Sequence, residues 1–361
     1  MKFSILKNKR VFLTGHTGFK GSWLAVWLHR LGAEVYGYSL PPPTEPSNYA
    51  LARVRDLLCG ETIADIRDRK TVRETMAAFK PDIVFHLAAQ PLVRDSYVSP
   101  FDTFEINVMG TASVLDAVRN LARPCAVVCI TTDKCYENRE QVWGYRECDP
   151  MGGYDPYSAS KGAAEILIAS YRRSFFHPDR LVEHGVQLAS ARAGNVIGGG
   201  DWARDRIVTD MVAALTQGRL VPVRNPHAIR PWQHVLEPLS GYLTLASAML
   251  EKPGPAWSSA WNFGPVSGTE LPVGELASAF IKAWGAGTWV DQSRPGQPHE
   301  ASILRLSIEK AGWELGWRPR WICDEMIQRT AHWYRRALCE GADARSLCEA
   351  DIAAYHSHSD F

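Results

Sequence analysis

The stretch RVFLTGHTGFKGSW, residues 10–23, decides the fold of this chain. Its first five residues, built around the apolar run at 11–13, predict a buried strand, and a helical segment begins near residue 22. Glycines stand between the two at positions 15, 18 and 21. Glycine allows a tight turn, a close backbone approach to a pyrophosphate, and close packing of the helix on the strand. A glycine loop between a strand and a helix predicts dinucleotide binding, with the phosphates at the helix N-terminus.

The rest of the first half repeats this alternation of strand and helix. Short apolar runs at 34–38, 82–87 and 126–131 are typical of parallel strands covered on both faces. Helices are expected between them, over 22–31, 68–79 and 101–121. In the last helix, one face is expected to hold Phe104, Val108, Ala112, Leu115 and Val118. This order predicts an α/β fold with a Rossmann-like, doubly wound parallel sheet.

The second half is less regular, with glycine and proline concentrated at 194–200, 222–231 and 253–272. Helices are expected at 206–217, at 237–250 and from about residue 322. We expect a dinucleotide-binding domain over 1–190 and a smaller α/β substrate lobe over 191–345, parts of which return to the first domain. A tail is expected over 346–361.

Composition excludes several classes of protein. The 361 residues include 40 basic and 39 acidic side chains, a net charge of +1, which argues against a non-specific nucleic-acid binder. No apolar run reaches the roughly 18–20 residues of a membrane helix, and no secretory segment opens the chain. The eight cysteines lack metal-site spacing. We therefore expect no nucleic-acid or membrane partner, no metal, free thiols and a cytoplasmic location.

Tyr157 and Lys161 stand four residues apart in the segment YSASK. On a helix this spacing places both side chains on one face. A lysine ammonium beside a phenol lowers the pKa of the phenol, so the pair predicts a tyrosinate base that works near neutral pH.

The end of the second predicted strand carries no acidic residue for a cofactor ribose. Ser39 stands there instead and bonds a ribose hydroxyl more weakly than a carboxylate would. His16 occupies a loop position where a small residue would leave more room. Both features predict a loosely held cofactor. Asp65, after the third strand, is a candidate acceptor for the adenine amino group or a helix cap.

The glycine loop, the segment LAAQ at 87–90, Asn107 and the Tyr157/Lys161 pair together resemble the extended short-chain dehydrogenase/reductase family over about residues 8–340. The resemblance implies NAD as cofactor and a homodimer, or a dimer of dimers, built on the helices at 101–121 and 157–174. It implies that these residues hold the cofactor: Gly15, His16, Thr17, Gly18, Phe19, Gly21, Ser39, Asp65, Ile66, Leu87, Ala88, Ala89, Gln90, Asn107, Thr131, Tyr157 and Lys161.

The segment TTDK at 131–134 further resembles the active-site signature of nucleotide-sugar 4,6-dehydratases. The segments TDKCYEN (132–138), WGYRE (143–147) and GNVIGGGDW (194–202) are similar to the members of that group that act on CDP-glucose. Related dehydratases usually have Asp-Glu where this chain has Asp133-Lys134. The resemblance implies dehydration of CDP-glucose to its 4-dehydro-6-deoxy product, on a deoxysugar pathway such as that of lipopolysaccharide O-antigen.

The expected catalytic residues are Thr132, Asp133, Lys134, Tyr157 and Lys161. Tyr157 takes the C4 hydroxyl proton, Thr132 bonds the C4 oxygen, and Asp133 protonates the departing C6 hydroxyl. Lys134 assists removal of the C5 proton, either as the base or by stabilising the enolate.

A nucleotide sugar carries a diphosphate, which arginines and polar groups in flexible loops bind well. The expected substrate-binding residues are Arg94, Asn195, Trp202, Arg206, Arg230 and Arg294. Two other functions stay open. One is a dehydratase or 4-epimerase for a dTDP-, GDP- or UDP-sugar, and the other is a non-catalytic dinucleotide sensor, which would have no need of the catalytic set.

Overall fold

A computed structural model describes residues 3–293 and 303–357. Its centre is a seven-stranded sheet in the order β11-β6-β5-β4-β1-β2-β3, with every pair parallel. Its strands are β1 (Arg10–Thr14), β2 (Glu34–Ser39), β3 (Gly60–Ile63), β4 (Ile83–His86), β5 (Cys125–Ile130), β6 (Val186–Ala193) and β11 (Ala260–Phe263). The predicted doubly wound parallel sheet is confirmed.

Helices cover both faces of the sheet. The helices of the described residues are α1 (Phe19–Arg30), α2 (Asn48–Leu51), α3 (Arg69–Phe79), α4 (Val93–Val98), α5 (Pro100–Phe104), α6 (Gly110–Arg119), α7 (Pro156–Ser174), α8 (Leu181–His184), α9 (Ile207–Leu215), α10 (Leu236–Glu251), α11 (Val273–Trp284), α12 (Glu309–Glu314), α13 (Cys323–Cys339) and α14 (Ala344–Ser357). Alternate residues of β1 serve the two layers. Val11 packs into the cluster that contains Trp23 of α1, and Phe12 packs into the cluster that contains Met76 of α3.

Strand order reverses between β1 and β4, whose carboxyl ends lie side by side. Ligands of open α/β sheets bind in the crevice outside such a switch point. The glycine loop follows β1 and the LAAQ segment follows β4, so both border this crevice.

A π-helical turn (Glu105–Met109) joins α5 to α6. The extra residue of such a turn shifts the face that each side chain presents. Leu115 and Val118 are buried as expected, whereas Phe104 is exposed and Asn107 is buried in its place. The predicted face of this helix is therefore wrong at its first turn.

The substrate side is built from short paired strands: β7 (Val196–Ile197) with β10 (Gln233–His234), β9 (Ile229–Arg230) with β12 (Leu271–Pro272), and β8 (Val221–Val223) with β13 (Trp289–Asp291). The chain returns to the first domain through α10, which packs against β5, and through β11.

The tail expected over 346–361 is wrong in its described part. Residues 344–357 form α14, which packs against α1 and α2. Leu347, Cys348, Ile352 and Tyr355 are buried there, because this spacing gives the helix an apolar stripe.

Candidate active site

The glycine loop has the geometry of a phosphate cradle. Gly15 adopts φ +76°, and a Cβ atom there would lie 2.7 Å from the backbone nitrogen of Ala88. A Cβ on Gly21 would lie 2.0 Å from the Gly15 carbonyl oxygen. Neither position accepts a side chain, so the backbone is bare where α1 begins, and its free N–H groups fit a pyrophosphate.

His16 does not crowd the crevice. Its ring is buried against Gly37 of β2, and its Nε2 lies 2.9 Å from a carboxylate oxygen of Glu61. Only the backbone of His16 belongs to the loop, because the side chain turns to the far side of β2. The expectation that the His16 ring narrows the cofactor site is therefore wrong.

The crevice beside β2 offers hydroxyls for a ribose. The Thr17 and Ser39 hydroxyl oxygens lie 2.8 Å apart, and Thr17 also donates to the Leu40 carbonyl. Asp65 and Ile66 line the same end of the cavity. The Asp65 carboxylate accepts from Arg67, and this hydrogen bond holds the pKa of Asp65 below its usual value.

Asn107 acts behind the crevice and does not line it. Its side chain accepts from the Gln90 backbone N–H and donates to the Gln90 carbonyl, at 2.9 and 3.1 Å. It also donates to the Ser160 hydroxyl of α7 at 2.8 Å. Asn107 therefore ties the loop after β4 to the helix that carries Tyr157.

A polar chain holds the start of the LAAQ segment. The Thr14 hydroxyl oxygen accepts from the backbone N–H groups of Leu87 and Ala88 and lies 2.8 Å from His86 Nδ1. The hydroxyl proton of Thr14 is then directed at His86. Burial lowers the pKa of His86 to about 3, which keeps this ring neutral.

The expected catalytic residues converge on one cavity of about 1490 Å³ that also contains the glycine loop. Its lining includes Thr131, Thr132, Asp133, Lys134, Tyr157 and Lys161, together with Leu87, Ala88, Ala89 and Gln90. Helix α7 starts at Pro156 with Asp155 as its N-cap, and this start places Tyr157 in the first turn.

Asp133 is 1% exposed in a 3₁₀ turn that follows β5. One carboxylate oxygen accepts from the Thr132 hydroxyl at 3.0 Å, and the other has no hydrogen-bond partner in the described part of the chain. Burial raises the pKa of Asp133, against the opposing effects of Lys134 and Thr132. This carboxyl group is suited to carry a proton.

Tyr157 and Lys161 are both buried, and this burial dominates their ionisation. It raises the pKa of Tyr157 to about 12, while hydrogen bonding with Thr132 opposes the rise. It lowers the pKa of Lys161 to about 8, while the Glu165 carboxylate opposes the fall. The pKa of the phenol is therefore raised and not lowered as expected, because loss of water around the phenolate outweighs the hydrogen bond with Thr132 and the charge of Arg206.

Glu165 holds a buried network that the sequence pattern did not reveal. Its carboxylate accepts from Thr131 at 2.5 Å, from Ser190 at 2.8 Å and from Arg192 at 2.8 Å. Arg192 also donates to the Tyr136 hydroxyl at 2.7 Å. The network joins α7 to Thr131 and Tyr136, which stand before and after the Thr132–Lys134 turn. Its sequence signal is an acidic residue one helical turn after Lys161.

Lys20 is a second residue that the sequence reasoning missed. It stands between two glycines of the quoted loop and lines the cavity with Asp133 and Lys161. Burial lowers its pKa to about 8. A cation in the first turn of a helix opposes the helix dipole, and this local conflict was the available signal.

Most of the expected substrate-binding residues line the same cavity: Arg94, Asn195, Trp202, Arg206 and Arg230. Arg206 donates to Asp201 at 2.6 Å, and the side-chain oxygen of Asn195 is buried without a partner in the described residues. Trp202 also packs edge-on against Tyr334 of α13. Arg294 lies outside the described residues.

A parallel sheet with a glycine loop at its switch point, and a Tyr-x-x-x-Lys helix beside it, defines a dinucleotide-binding enzyme of the short-chain dehydrogenase/reductase type. The chain belongs to the GDP-mannose 4,6 dehydratase family, whose sequence profile matches residues 12–261. It is 49% identical to CDP-glucose 4,6-dehydratase of Salmonella typhimurium, over 97% of each chain. It is 32% identical to dTDP-glucose 4,6-dehydratase of Streptomyces antibioticus, over 75% of each chain.

Solved structures share the fold. The crystal structure of dTDP-glucose 4,6-dehydratase from Streptomyces venezuelae, with NAD and TYD bound, covers 93% of this chain and 99% of its own, with a TM-score of 0.75 and 22% identity. UDP-glucose 4-epimerase of Thermus thermophilus, in complex with NAD, covers 91% and 100%, with a TM-score of 0.76 and 24% identity. Dehydratases and epimerases therefore share this architecture, and the side chains of the site must separate them.

Proposed function

We propose that this chain dehydrates CDP-glucose to CDP-4-dehydro-6-deoxyglucose with NAD as a cofactor that is not consumed. The 49% identity to a CDP-glucose 4,6-dehydratase over nearly the whole chain supports the substrate. The bare glycine loop and the hydroxyls of Thr17 and Ser39 support the cofactor. The product is a precursor for deoxysugars, such as those of O-antigens.

One observation carries the assignment to dehydration. Asp133 is a buried carboxyl group with a raised pKa and an unpartnered oxygen, and it lines the same cavity as Tyr157 and Lys161. Exchange of a hydride at C4 needs the Tyr157/Lys161 pair alone. Loss of water needs a proton donor in addition, and Asp133 provides it.

The first stage is oxidation at C4, which makes the C5 proton acidic. Tyr157 accepts the C4 hydroxyl proton. The Thr132 hydroxyl donates to Asp133 in the structure, and once Asp133 is protonated it is released to donate to the C4 oxygen instead. The glycine loop, Thr17 and Ser39 would hold NAD, which would supply a hydride acceptor at C4, a hydride donor at C6 and a positive ring that favours the phenolate. Lys161 adds a second positive charge near the phenolate and lies in reach of the cofactor ribose.

The second stage removes water across C5 and C6. Asp133 transfers its proton to the C6 hydroxyl, which leaves as water. Lys134 assists removal of the C5 proton, as base or as stabiliser of the enolate. The C5–H electron pair becomes the C5–C6 double bond, so the proton lost at C5 and the hydroxide lost at C6 balance as one water. Hydride addition at C6 then leaves an enolate, and a proton returned to C5 on the Lys134 side completes the 4-dehydro-6-deoxy product.

The diphosphate of the nucleotide sugar belongs beside the arginines that line the cavity. These are Arg206 and Arg230, with Asn195 as a neutral hydrogen-bonding group. Arg94 pairs with Asp205 at 3.3 Å and borders the same region. Arginine suits a diphosphate because its planar group forms two parallel hydrogen bonds.

Incubation of the pure protein with NAD and CDP-glucose tests this function. Mass spectrometry should show a nucleotide sugar that has lost one water and carries a ketone, with no net formation of NADH. Tyr157→Phe, which keeps the ring and loses the hydroxyl, should abolish the product. A clear preference for dTDP-, UDP- or GDP-glucose, or an epimerised product of unchanged mass, would overturn the proposal.

We also propose a homodimer. Apolar side chains of the helices around the π turn face outward: Val98, Phe101, Met109 and Ile166 are 83%, 74%, 59% and 62% exposed. Large apolar patches of this kind mark interfaces. Sedimentation should give a dimer at micromolar concentration, and Phe101→Asp should shift it towards the monomer. A wild-type monomer would reject the dimer.

A cytoplasmic location is a further proposal. All eight cysteines are unpaired, including the exposed Cys59, Cys148 and Cys339. Exposed free thiols are stable in a reducing compartment. In the described residues, no helix is long and apolar enough to cross a bilayer. Fractionation of cells that express the tagged chain measures the location directly.

A further inference from the structure

Lys20 occupies a position that is unfavourable for a lysine. It lies in the first turn of α1, where the helix dipole repels a cation. Arg206 and Lys161 add like charge, while the carboxylates of Asp133 and Asp201 oppose it. Within residues 3–293 and 303–357, its ammonium forms no hydrogen bond or ion pair. A cation left in this way in a partly buried cavity costs stability, so its charge calls for an anionic partner in the crevice, either a cofactor phosphate or a carboxylate.

Asp133 is an acidic group that likewise lacks a close partner of opposite charge. It is a buried carboxyl group that no arginine or lysine contacts within ion-pair distance in the described residues. Lys134 acts on it from the same turn, Lys20 from α1 and Arg230 from β9. Among the described residues, Tyr157 from α7 and Cys135 from the turn also interact with it. Of the three cations, Lys20 comes from the element that carries the cofactor loop.

We propose that Lys20 is a positioning residue for proton donation, whose ammonium stabilises the carboxylate that remains on Asp133 after its proton has moved to the departing C6 hydroxyl. The inference rests on the proposed dehydration. In that step the Asp133 O–H bond and the C6–O bond break, water leaves, and the negative charge stays on a carboxylate that water does not reach.

Lys134 alone does not meet this need. At the same step it acts at C5, where it accepts the proton or faces the enolate. A lysine that serves C5 as a neutral base provides no charge to Asp133. A second cation from a different element keeps the two tasks separate. Lys20 meets this condition because it stands on α1 and lines the same cavity as the Thr132–Lys134 turn.

Three variants test the proposal: Lys20→Met, Lys20→Arg and, as a matched control on the exposed surface, Lys252→Met. Infrared difference titration of the protein without substrate reports the pKa of the Asp133 carboxyl, assigned by its loss in Asp133→Asn. Lys20→Met should raise that pKa by about one unit, and Lys20→Arg and Lys252→Met should leave it near wild type.

Single-turnover kinetics then separate the two stages. In Lys20→Met, formation of enzyme-bound NADH should stay within about twofold of wild type, while release of water slows about tenfold, the equivalent of one pKa unit. The alkaline limit of dehydration should move to higher pH by the same amount. Lys20→Arg should recover most of the rate.

An unchanged Asp133 pKa in Lys20→Met would overturn the proposal. So would an equal fall in oxidation and dehydration, which indicates a general effect on the cofactor loop. A Lys20→Arg variant as slow as Lys20→Met, with no exchange of the C5 proton into solvent, would instead assign Lys20 as the C5 base. If the wild-type protein makes no ketosugar, the proposed function fails, and the infrared titration still decides the coupling between Lys20 and Asp133.

Discussion

Replacement of Gly194 by alanine should slow dehydration selectively. Gly194 follows β6, and a Cβ atom there would lie 2.6 Å from the unpartnered carboxylate oxygen of Asp133 and 2.9 Å from Cγ of Pro231. Ordinary contact begins at 3.4 Å, so the carboxylate oxygen must withdraw by about 0.8 Å and Pro231 by about 0.5 Å. The first of these shifts moves the proton donor relative to the C6 hydroxyl.

The expected magnitude follows from that displacement. A misplacement of about 1 Å at a reacting group costs on the order of 100-fold in rate, so release of water should slow by about 30- to 100-fold. Tyr157, Lys161 and the glycine loop are untouched, so formation of enzyme-bound NADH should stay within about threefold of wild type. The overpacked core should also lose about 1–3 kcal/mol of stability.

Stopped-flow absorbance of NADH and quenched-flow analysis of the ketosugar measure the two stages, and urea unfolding measures stability. Gly254→Ala is the matched control, because the nearest atom to its added Cβ is the Lys252 carbonyl oxygen at 3.7 Å. A folded Gly194→Ala protein that dehydrates at the wild-type rate would refute the placement of Asp133 as the proton donor. If oxidation and dehydration slow equally in Gly194→Ala, the role of Asp133 is not restricted to dehydration.

Three further outcomes are expected. Asp133→Asn and Lys134→Met should each accumulate enzyme-bound NADH and block loss of water. If either variant turns over normally in single-turnover assays, the residue replaced in it has no part in the mechanism. The rates of oxidation and dehydration should change with pH in opposite directions. Oxidation should speed up as pH rises, because Tyr157 ionises. Dehydration needs protonated Asp133, so it should persist above the usual pKa of aspartate and slow as pH passes the raised pKa of Asp133. Rapid-mixing rates from pH 6 to 9, at about unit intervals, check this, and parallel slopes would contradict it. Glu165→Gln should lower the free energy of unfolding in urea by about 3–5 kcal/mol, because it leaves buried Arg192 without its carboxylate. Thr131→Val, which removes one hydrogen bond to Glu165, should lower it by about 1 kcal/mol. Similar losses in the two variants would show that the ion pair is not the main contribution.

The parallel sheet could be predicted from local signals. The strands are continuous apolar runs because both faces are covered, and glycine, Tyr157 and Lys161 mark the crevice through spacing alone. The Thr132–Lys134 turn was found by resemblance, and the structure brings it to the same cavity as Tyr157.

The remaining features depend on contacts that sequence order does not show. His16 turns away from the crevice because Glu61, 45 positions later in the chain, holds its ring. The π turn changes which side chains α5 and α6 bury. The pKa of Tyr157 depends on how completely the fold removes water, which residue spacing does not reveal. Lys20 was overlooked because the surrounding glycines explained the loop without it.

Strand β11 has a consequence for recombination between relatives. This strand comes later in the chain than part of the expected substrate lobe. It pairs with β6, Ala260 opposite Ser190 and Phe263 opposite Ala193. Ser190 in turn donates to Glu165 on the helix that carries Tyr157. A chimaera with a single crossover near residue 190 would place a foreign edge strand against β6, and the misfit would reach the catalytic helix. Exchange of nucleotide specificity by gene shuffling therefore needs two crossovers, so that Ala260–Phe263 stays with the parent that provides α7.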